Sequence, residues 1–315
     1  MTATFDARVR AMGTDVHVIV VADDDVLLTR ALARIDELEQ RWSRFIDTSE
    51  VSVLNRRAGE RVAVSPDTTL LVERAIEAWR VSGGGFDPTV LGDVIRAGYD
   101  RSFDEIAADT TAGHSALRQG VTSIVVEDDT VVLPRDVGFD PGGIGKGLAA
   151  DLVATETMEA GAVGVCINLG GDLRVLGESP VDGGWTVALE HQLVAEPFLV
   201  LALGDGAVAT STTLRRQWRV DGRRRHHLID PWTGEPSGSD LTLVSVVAGE
   251  AWMAEVLAKA ELLRGSSRVF DLVGGTGAEA LAVTAGGTVL VTAGFGQFVP
   301  GGAVPAQLEL IATDG

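Results

Sequence analysis

Lysine is the rare cation of this sequence, and its two positions are the first pointer to chemistry. The chain has 315 residues, and Lys146 and Lys259 are its only lysines beside twenty-four arginines. A compact ammonium fills space that a planar guanidinium cannot, so a chain that otherwise uses arginine can keep lysine where that shape matters. Two surface lysines placed by chance would give the same count. Both positions are therefore candidates for binding an anion, and neither is proven by composition.

Lys146 lies in a glycine-rich run, GFDPGGIGKG, that covers residues 138–147 and opens an apolar helical pattern. Free N–H groups at a helix start, together with the positive end of the helix dipole, form a site for phosphate. Gly142, Gly143 and Gly145 would let a ligand approach the backbone. The run lacks the spacing and the Ser/Thr of a Walker sequence. Glycines also serve close packing of a helix on a sheet, and this alternative stays open.

A second polar cluster, HHLIDPWTG, covers residues 226–234. Strand alternation predicts His227 and Ile229 on one face and Asp230 on the other. Two histidines beside a carboxylate can form a metal site or a general acid and base. A strand that ends in an Asp-Pro turn is the plainer interpretation. Asp87 and Asp140 also precede prolines in glycine-rich loops, where aspartate is most often a turn former.

The remaining pattern predicts an α+β fold. We expect helices over about 25–42, 66–82, 142–160 and 250–263, and a hairpin over 123–133. Strands are expected at 16–21, paired with 7–12, and then at 163–167, 185–189, 198–203, 218–220, 227–229, 241–247 and twice within 281–291. Helices do not alternate regularly with these strands, which favours antiparallel sheet. No linker or repeat is visible, so residues 1–315 are predicted to form a single domain.

Charge and cysteine content exclude several classes of protein. The net charge of −19 argues against a general nucleic-acid surface and against binding to an anionic membrane, because the longest basic run is residues 223–225. The single cysteine, Cys166, cannot form an internal disulfide. No secretory signal and no membrane-length apolar stretch are visible. These features predict a cytoplasmic protein whose anionic ligand would need a local positive site.

Seven short motifs in a fixed order resemble the FAD:protein FMN transferase (ApbE) family, and the resemblance extends over roughly residues 8–295. The motifs occupy residues 11–14, 43–55, 85–89, 140–147, 168–172, 209–211 and 226–234. The resemblance implies an α+β enzyme that uses magnesium to split FAD, transfers FMN to a threonine of a target flavoprotein and releases AMP.

The resemblance also implies roles for single residues. Met12 and Phe45 match positions that flank the flavin ring, and Lys146 would face the pyrophosphate. The carbonyl of Gly143 matches a magnesium ligand. The other positions that match FAD contacts are Gly85, Phe86, Asp87, Asp140, His227 and Ile229. Asp230, His227 or Asp140 could orient the attacking hydroxyl, and the sequence does not choose among them.

Two positions depart from the family pattern where magnesium is expected. The family places Asp and Thr one helical turn apart, and this chain has Glu255 and Lys259 there. Glutamate can still bind magnesium, whereas a charged lysine cannot. The pair could be a simple i,i+4 ion pair, which would be the better explanation on an exposed helix face. Our alternative hypothesis is that Lys259 takes over part of the role of magnesium beside Lys146.

The sequence therefore predicts an FMN transferase with altered or no magnesium dependence. Two other functions remain open because of the Glu255 and Lys259 replacements. One is an FAD-binding protein without transferase activity, which would act as a carrier, sensor or electron-transfer partner. The other is a pyrophosphatase that hydrolyses FAD to FMN and AMP. A transferase would also require a flavin-accepting target protein as partner.

Overall fold

The structure is a computed structural model, and it describes residues 2–311. Its helices are α1 (Val26–Trp42), α2 (Glu50–Arg56), α3 (Pro66–Val81), α4 (Leu91–Arg96), α5 (Gly145–Glu159) and α6 (Ala251–Arg264). Its strands are β1 (Ala3–Ala11), β2 (Thr14–Ala22), β3 (Val62–Ala63), β4 (Asp109–Thr110), β5 (Val125–Glu127), β6 (Thr130–Val132), β7 (Gly164–Leu169), β8 (Asp172–Gly177), β9 (Trp185–Leu189), β10 (Leu199–Leu203), β11 (Gly206–Thr212), β12 (Gln217–Val220), β13 (Arg223–His226), β14 (Leu241–Ala248), β15 (Glu279–Thr284) and β16 (Val289–Val291).

These elements form two compact units, and each unit is built from separate stretches of the chain. Unit 1 contains the described residues up to Ile35, Lys146–Arg215 and the described residues from Ser239 onward. Unit 2 contains Asp36–Gly145 and Arg216–Gly238. The single-domain organisation stays a prediction.

Unit 1 is organised by an eight-stranded sheet in the order β1-β2-β7-β8-β11-β14-β15-β16, in which all neighbours are antiparallel. The central strand β14 is buried along its whole length because α6 packs against it and against β11 and β8. Apolar residues of this sheet and of a separate two-stranded sheet, β10-β9, form the core, and Val175, Leu201, Leu243 and Leu281 are fully buried within it. This sheet supports the starts of both α5 and α6.

Unit 2 carries two small sheets, in the orders β13-β12-β4 and β3-β6-β5. Helix α3 begins at Pro66 because Ser65 caps it, and the Ser65 side chain accepts a hydrogen bond from the Thr68 N–H. A small apolar cluster contains Val94, Tyr99, Trp218 and Ile229, so helix α4 and strand β12 share one core. This core positions the loops that carry most of the predicted ligand contacts.

The α+β prediction with antiparallel strands is confirmed. Most predicted elements appear within a few residues of their predicted bounds, and three differ. The helix predicted from residue 142 begins at Gly145, because residues 141–144 form a turn closed by a 2.9 Å hydrogen bond from the Gly145 N–H to the Pro141 carbonyl. The helix predicted from about residue 25 begins at Val26, whose N–H donates to the Asp24 carboxylate at 3.0 Å.

The third difference concerns the strand predicted at residues 227–229, which is wrong. Strand β13 ends at His226, and Ile229 makes only an isolated bridge to Pro236. The reason is local, because the Leu228 N–H donates to the ring Nδ1 of His226 and the next residues enter the Asp-Pro turn. Strand alternation therefore does not set the faces of His227 and Ile229.

Candidate active site

The most concentrated charge in unit 1 is a cluster of Lys146, Asp172 and Glu255. The ammonium of Lys146 lies 2.6 Å from Asp172 Oδ2 and also binds Glu255 Oε1. Both carboxylates are buried, with side-chain exposures of 7% and 5%, whereas the lysine side chain is 24% exposed. One cation thus bridges two acids contributed by β8 and α6, and it remains reachable from solvent.

Helix α5 meets helix α6 at this cluster because Gly147 has no side chain. A Cβ on Gly147 would lie 2.6 Å from the carbonyl carbon of Ala251 and 2.7 Å from the Cα of Trp252. The Gly147 N–H also donates to Glu255 Oε2 at 2.8 Å. Part of the glycine-rich run therefore serves close packing, which was the alternative to phosphate binding.

The start of α6 is fixed by Asp151 from the middle of α5. Its two carboxylate oxygens accept hydrogen bonds from the N–H groups of Ala251 and Trp252 at 2.8 and 2.9 Å. Arg174 lies 3.3 Å from the same carboxylate. Burial raises the pKa of Asp151 to about 6, and these hydrogen bonds only partly offset that effect. The contact holds Glu255, one turn further along α6, in place.

Charge coupling inside the cluster favours a protonated lysine. Burial alone would lower the pKa of Lys146, but the negative charges of Asp172 and Glu255 outweigh it and hold that pKa above its ordinary value. Burial raises the pKa of Asp172 above its ordinary value, against the opposing effect of the Lys146 charge. The Lys146 ammonium is therefore a permanent cation at neutral pH.

Lys259 lies one helical turn after Glu255 on α6, and it is also buried, at 8% exposure. Among the described residues, every position of α6 from Ala254 to Leu263 is buried. The condition under which a simple i,i+4 ion pair of Glu255 and Lys259 would be the better explanation, an exposed helix face, is therefore not met. Glu255 also has partners on another helix, in Lys146 and Gly147.

In unit 2, the predicted contacts at 85–87 form a buried loop. Phe86 is fully buried, so only its backbone could meet a ligand. Asp87 Oδ1 accepts a 2.7 Å hydrogen bond from the Thr89 N–H and a second from the Thr89 hydroxyl. Thr89 in turn accepts from the Gly120 N–H at 2.9 Å. Asp87 is thus the turn former that loop chemistry predicts.

Arg44 connects two predicted ligand contacts of unit 2. Its guanidinium lies 4.1 Å from the ring centroid of Phe45 and 4.6 Å from that of Tyr99, and it donates to the Tyr99 carbonyl at 3.0 Å. It also lies 3.5 Å from Asp140. Phe45 keeps 41% of its surface exposed. This arrangement presents an aromatic face backed by a stacked cation, a surface suited to a flat aromatic ligand.

Asp140 and Asp230 both stabilise turns. Asp140 Oδ1 accepts a 2.8 Å hydrogen bond from the Gly142 N–H, and Asp230 Oδ1 accepts one from the Trp232 N–H at 2.9 Å. The same Asp140 carboxylate faces Arg44, so it has a second contact that Asp230 does not show. Gly143 has a φ of +104°, which L side chains rarely adopt, so a glycine is required there.

The two histidines differ in their surroundings. His226 is tied to the backbone, with Nε2 3.0 Å from the Ser237 carbonyl oxygen, and burial lowers its pKa. His227 is half-buried, and Ile229 is buried in the core of unit 2. An aliphatic residue in the core can contact a ligand only through its backbone, which limits the role predicted for Ile229.

Met12 occupies an unusual backbone position in unit 1. It and Gly13 form the two-residue turn between β1 and β2, with φ values of 51° and 65°. Such turns require positive φ at both positions, and Asn-Gly is the preferred pair. A methionine held there is strained, and strain of this kind concentrates at ligand sites. The hairpin turn by itself accounts for the φ of Met12, so its role at the flavin stays a prediction.

Comparison with known proteins places this geometry in a family. The model of the ApbE family matches residues 12–282. The chain belongs to the ApbE family. The FAD:protein FMN transferase of Treponema pallidum is 30% identical over 261 residues, which cover 76% of this chain and 71% of that protein. The enzyme of the same name from Vibrio cholerae is 28% identical over 79% of this chain and 76% of its own length.

Solved structures of ApbE proteins share the fold. The ApbE protein of Thermotoga maritima is 25% identical with a TM-score of 0.85, over 95% of this chain and all of that one. The apo flavinyl transferase ApbE of Pseudomonas stutzeri has a TM-score of 0.80 at 24% identity, over 96% of this chain and 98% of that one.

The magnesium site implied by the ApbE resemblance does not fit the residues of unit 1 as they are arranged. Glu255 uses one oxygen for Lys146 and the other for the Gly147 N–H, and Asp172 also binds Lys146. Lys259 brings a second ammonium one turn away. Within residues 2–311, no group of three or more His, Cys, Asp or Glu side chains is placed to hold a metal ion. The cluster is an ammonium bound by two carboxylates.

Asp172 and Arg44 are site residues that motif matching in ApbE did not single out. Asp172 closes a matched motif, and its position directly after the Gly170-Gly171 turn could have indicated it. It begins β8, and both glycines have positive φ, which the tight β7–β8 connection requires. For Arg44, the only signal in the sequence was its position next to Phe45. Its stacking on Tyr99 could not be predicted, because Tyr99 is distant in the sequence.

Proposed function

We propose that this protein is an FAD:protein FMN transferase, which binds FAD, transfers FMN to a threonine of a target protein and releases AMP. Support comes from membership of the ApbE family over residues 12–282 and from curated relatives with that name. The observation that carries the proposal is the protonated Lys146 at the start of α5, where the resemblance implies a contact with the FAD pyrophosphate.

Phosphoryl transfer depends mainly on positioning and on neutralisation of charge. An ammonium has three N–H donors, and Lys146 directs two of them at Asp172 and Glu255, which leaves one for a phosphate oxygen. The dipole of α5 adds positive potential in the same turn, while the Gly145 and Gly147 N–H groups already donate to Pro141 and Glu255. The two carboxylates keep the ammonium in place, so the protein spends no further entropy to order it when the substrate binds.

The flavin contacts are proposed for Met12 and Phe45, and the remaining FAD contacts for Gly85, Phe86, Asp87, Asp140, His227 and Ile229. Phe86 and Ile229 are buried, so their contribution would be through the backbone. The attacking threonine hydroxyl is oriented by Asp230, His227 or Asp140. Asp140 and Asp230 already accept backbone hydrogen bonds, and His227 is the candidate whose side chain is an imidazole.

We propose further that the reaction has altered magnesium dependence, with Lys259 and Lys146 neutralising the pyrophosphate in place of part of the metal charge. Support comes from the buried position of Lys259 and from the use of Glu255 by Lys146 and Gly147. The test is AMP release from FAD in the presence of a threonine-bearing acceptor domain, with EDTA or with added magnesium. Release in EDTA is expected, and a strict requirement for magnesium would contradict the proposal.

Two other outcomes are separated by one experiment. The pairing of Lys146 with Glu255 also suits a protein that binds FAD and leaves it intact, or one that hydrolyses it with water. A single turnover of FAD with and without acceptor, followed by chromatography, distinguishes the three. Transfer gives AMP and flavin bound to the acceptor, hydrolysis gives free FMN and AMP, and simple binding returns intact FAD.

None of the helices within residues 2–311 has the length and hydropathy that a membrane crossing requires. The cytoplasmic location stays a prediction.

A further inference from the structure

The two edges of the large sheet in unit 1 differ in the length of the edge strand and in whether another segment covers it. At one edge β16 has three residues, and the segment after it folds back beside it. The Val289 N–H donates to the Ala306 carbonyl at 3.0 Å, and the Leu308 N–H donates to the Gly287 carbonyl at 2.8 Å. At the other edge β1 has nine residues, and β2 is the one strand that pairs with it in the described part of the chain.

Of the features that usually protect an exposed edge, β1 has charged side chains (Asp6, Arg8 and Arg10) but no proline, no lysine, no bulge and no shortening. Proteins blunt exposed edges with proline, with bulges, with lysine or with a short strand. Residues 3–11 contain no Pro, Gly or Lys, and their pairing with β2 runs through nine consecutive partners without a shift. None of the nine residues is buried, whereas β2 buries five. A long strand that gains so little burial invites a partner, since ordering its backbone is costly.

The sequence of β1 is its own complement in an antiparallel pair. When a second copy is centred on Ala7, residue i lies opposite residue 14−i. Asp6 then faces Arg8, and Phe5 faces Val9. Opposite charges and aromatic with β-branched residues are the cross-strand pairs that stabilise sheets.

The side chains that would make these pairs are accessible on β1. Val9 is 41% exposed. Among the described residues Arg8 has no ion pair, while Asp6 is 59% exposed and places one oxygen 3.1 Å from His17 Nε2. A carboxylate has two oxygens, so Asp6 can accept a second cation. Arg10, by contrast, already lies 3.3 Å from Asp15, and it would face the neutral Thr4.

We propose that β1 is an interface between two copies of this chain, paired antiparallel about Ala7 so that the two eight-stranded sheets become continuous. A foreign strand would need no relation to the sequence of residues 3–11, whereas a second copy explains why that sequence matches itself. The proposal concerns the sheet edge alone and does not depend on the reaction with FAD.

Charge reversal tests the interface with its own control. Asp6→Arg places arginine opposite Arg8, and Arg8→Asp places aspartate opposite Asp6, at two symmetric points of one interface. The dissociation constant, measured by analytical ultracentrifugation of the full chain, is expected to rise roughly tenfold or more in each variant. The double variant Asp6→Arg/Arg8→Asp restores opposite charges and should restore the dimer.

Arg268→Asp makes the same charge change at an exposed arginine in another part of unit 1 and should leave the dimer unchanged. Thermal melting of every variant checks that the fold is retained. A wild-type chain that is monomeric at all concentrations would overturn the proposal. Dimers that resist both single reversals, or a double variant that stays monomeric, would also overturn it.

Discussion

At the scale of single residues, Lys146 has the largest electrostatic role in unit 1. It bridges two buried carboxylates and offsets part of their mutual repulsion, and its own charge is stabilised by them. A buried charge without its partner is costly, so removing any one of the three side chains should destabilise the folded protein. The same ammonium is the proposed contact for a phosphate. The Nζ atom of Lys146 would therefore contribute both to stability and to ligand binding.

Lys146→Met should therefore destabilise the protein by about 3 kcal/mol, toward the lower end for a buried pair because the lysine is partly exposed. Urea unfolding measures the change. Arg61→Met is the control, since it breaks a salt bridge to Glu127 in which both partners are exposed and should cost under about 1 kcal/mol. Equal losses in the two variants would show that Asp172 and Glu255 do not depend on Lys146.

Arg44→Lys tests the aromatic surface of unit 2. Lysine keeps the positive charge beside Asp140 but loses the planar stacking on Phe45 and Tyr99. If Phe45 contacts the flavin, FAD affinity should fall by about 1 kcal/mol, or roughly fivefold. Quenching of flavin fluorescence gives the affinity. Arg56→Lys is the matched control, because Arg56 is exposed and, within residues 2–311, binds only the Asp47 carbonyl. An affinity that is the same in both variants would argue against stacking at Phe45.

At the scale of elements, the contact between the starts of α5 and α6 positions the site. The absence of a side chain at Gly147 and the cap from Asp151 bring the two helices together, and Glu255 then reaches Lys146. The apolar pattern predicted both helices well. It did not predict their contact, because close approach depends on which neighbour the glycine meets in the fold.

Gly147→Ala should lower the free energy of unfolding by about 2–3 kcal/mol, because the new Cβ meets backbone atoms that cannot move aside. Gly145→Ala is the control in the same helical turn. Its Cβ would lie 3.4 Å from the Pro141 side chain, so the better helix propensity of alanine should leave stability unchanged or slightly raised. The two variants are compared by thermal melting, and a harmless Gly147→Ala would show that the helices can separate.

Asp151 predicts a pH dependence with a definite sign. Its pKa of about 6 in the folded state lies above the ordinary 3.8, so the folded protein binds this proton more tightly than the unfolded chain. Its contribution to stability is full below pH 3.8 and is lost as the pH rises through 6, by roughly 2–3 kcal/mol. Asp151→Asn removes this change, so the stability of the wild type relative to the variant should fall over that range. Urea unfolding at several pH values measures it, and parallel curves would contradict the assignment.

At the scale of the whole molecule, the chain divides into two units whose segments alternate along the sequence. The α+β class and most strands followed from periodicity and turn residues, since those signals are local. The division into two units could not be predicted from these local signals, because it depends on which distant segments pack together. The strand predicted at 227–229 failed for a local reason, since the Asp-Pro turn and the His226 ring displaced the ladder. The Lys146 cluster joins three positions that are distant in the sequence. Two of them, Lys146 and Glu255, were indicated by the family motifs, and Asp172 was not singled out.

The reactivity of the Cys166 thiol can be used to measure whether the large sheet is intact. It lies in β7, and burial raises the pKa of its thiol to about 12, so the reactive thiolate is scarce in the folded protein. Reaction with a thiol reagent such as DTNB should be slow in the native state and fast in urea. The urea dependence of the reaction should coincide with the loss of circular dichroism. Rapid labelling before unfolding would mean that β7 opens by itself.

The order of the strands also has a consequence for how the chain folds as it is synthesised. Strand β2 pairs with β7, so the second edge of residues 14–22 stays unpaired until residues 164–169 have been synthesised. The intervening residues of unit 2 leave the ribosome first as one continuous stretch up to Gly145, and Arg216–Gly238 joins them later. Long-range pairing of this kind slows folding and leaves apolar surface exposed in the meantime. The nascent hairpin of β1 and β2 is therefore the segment for which a chaperone would matter most.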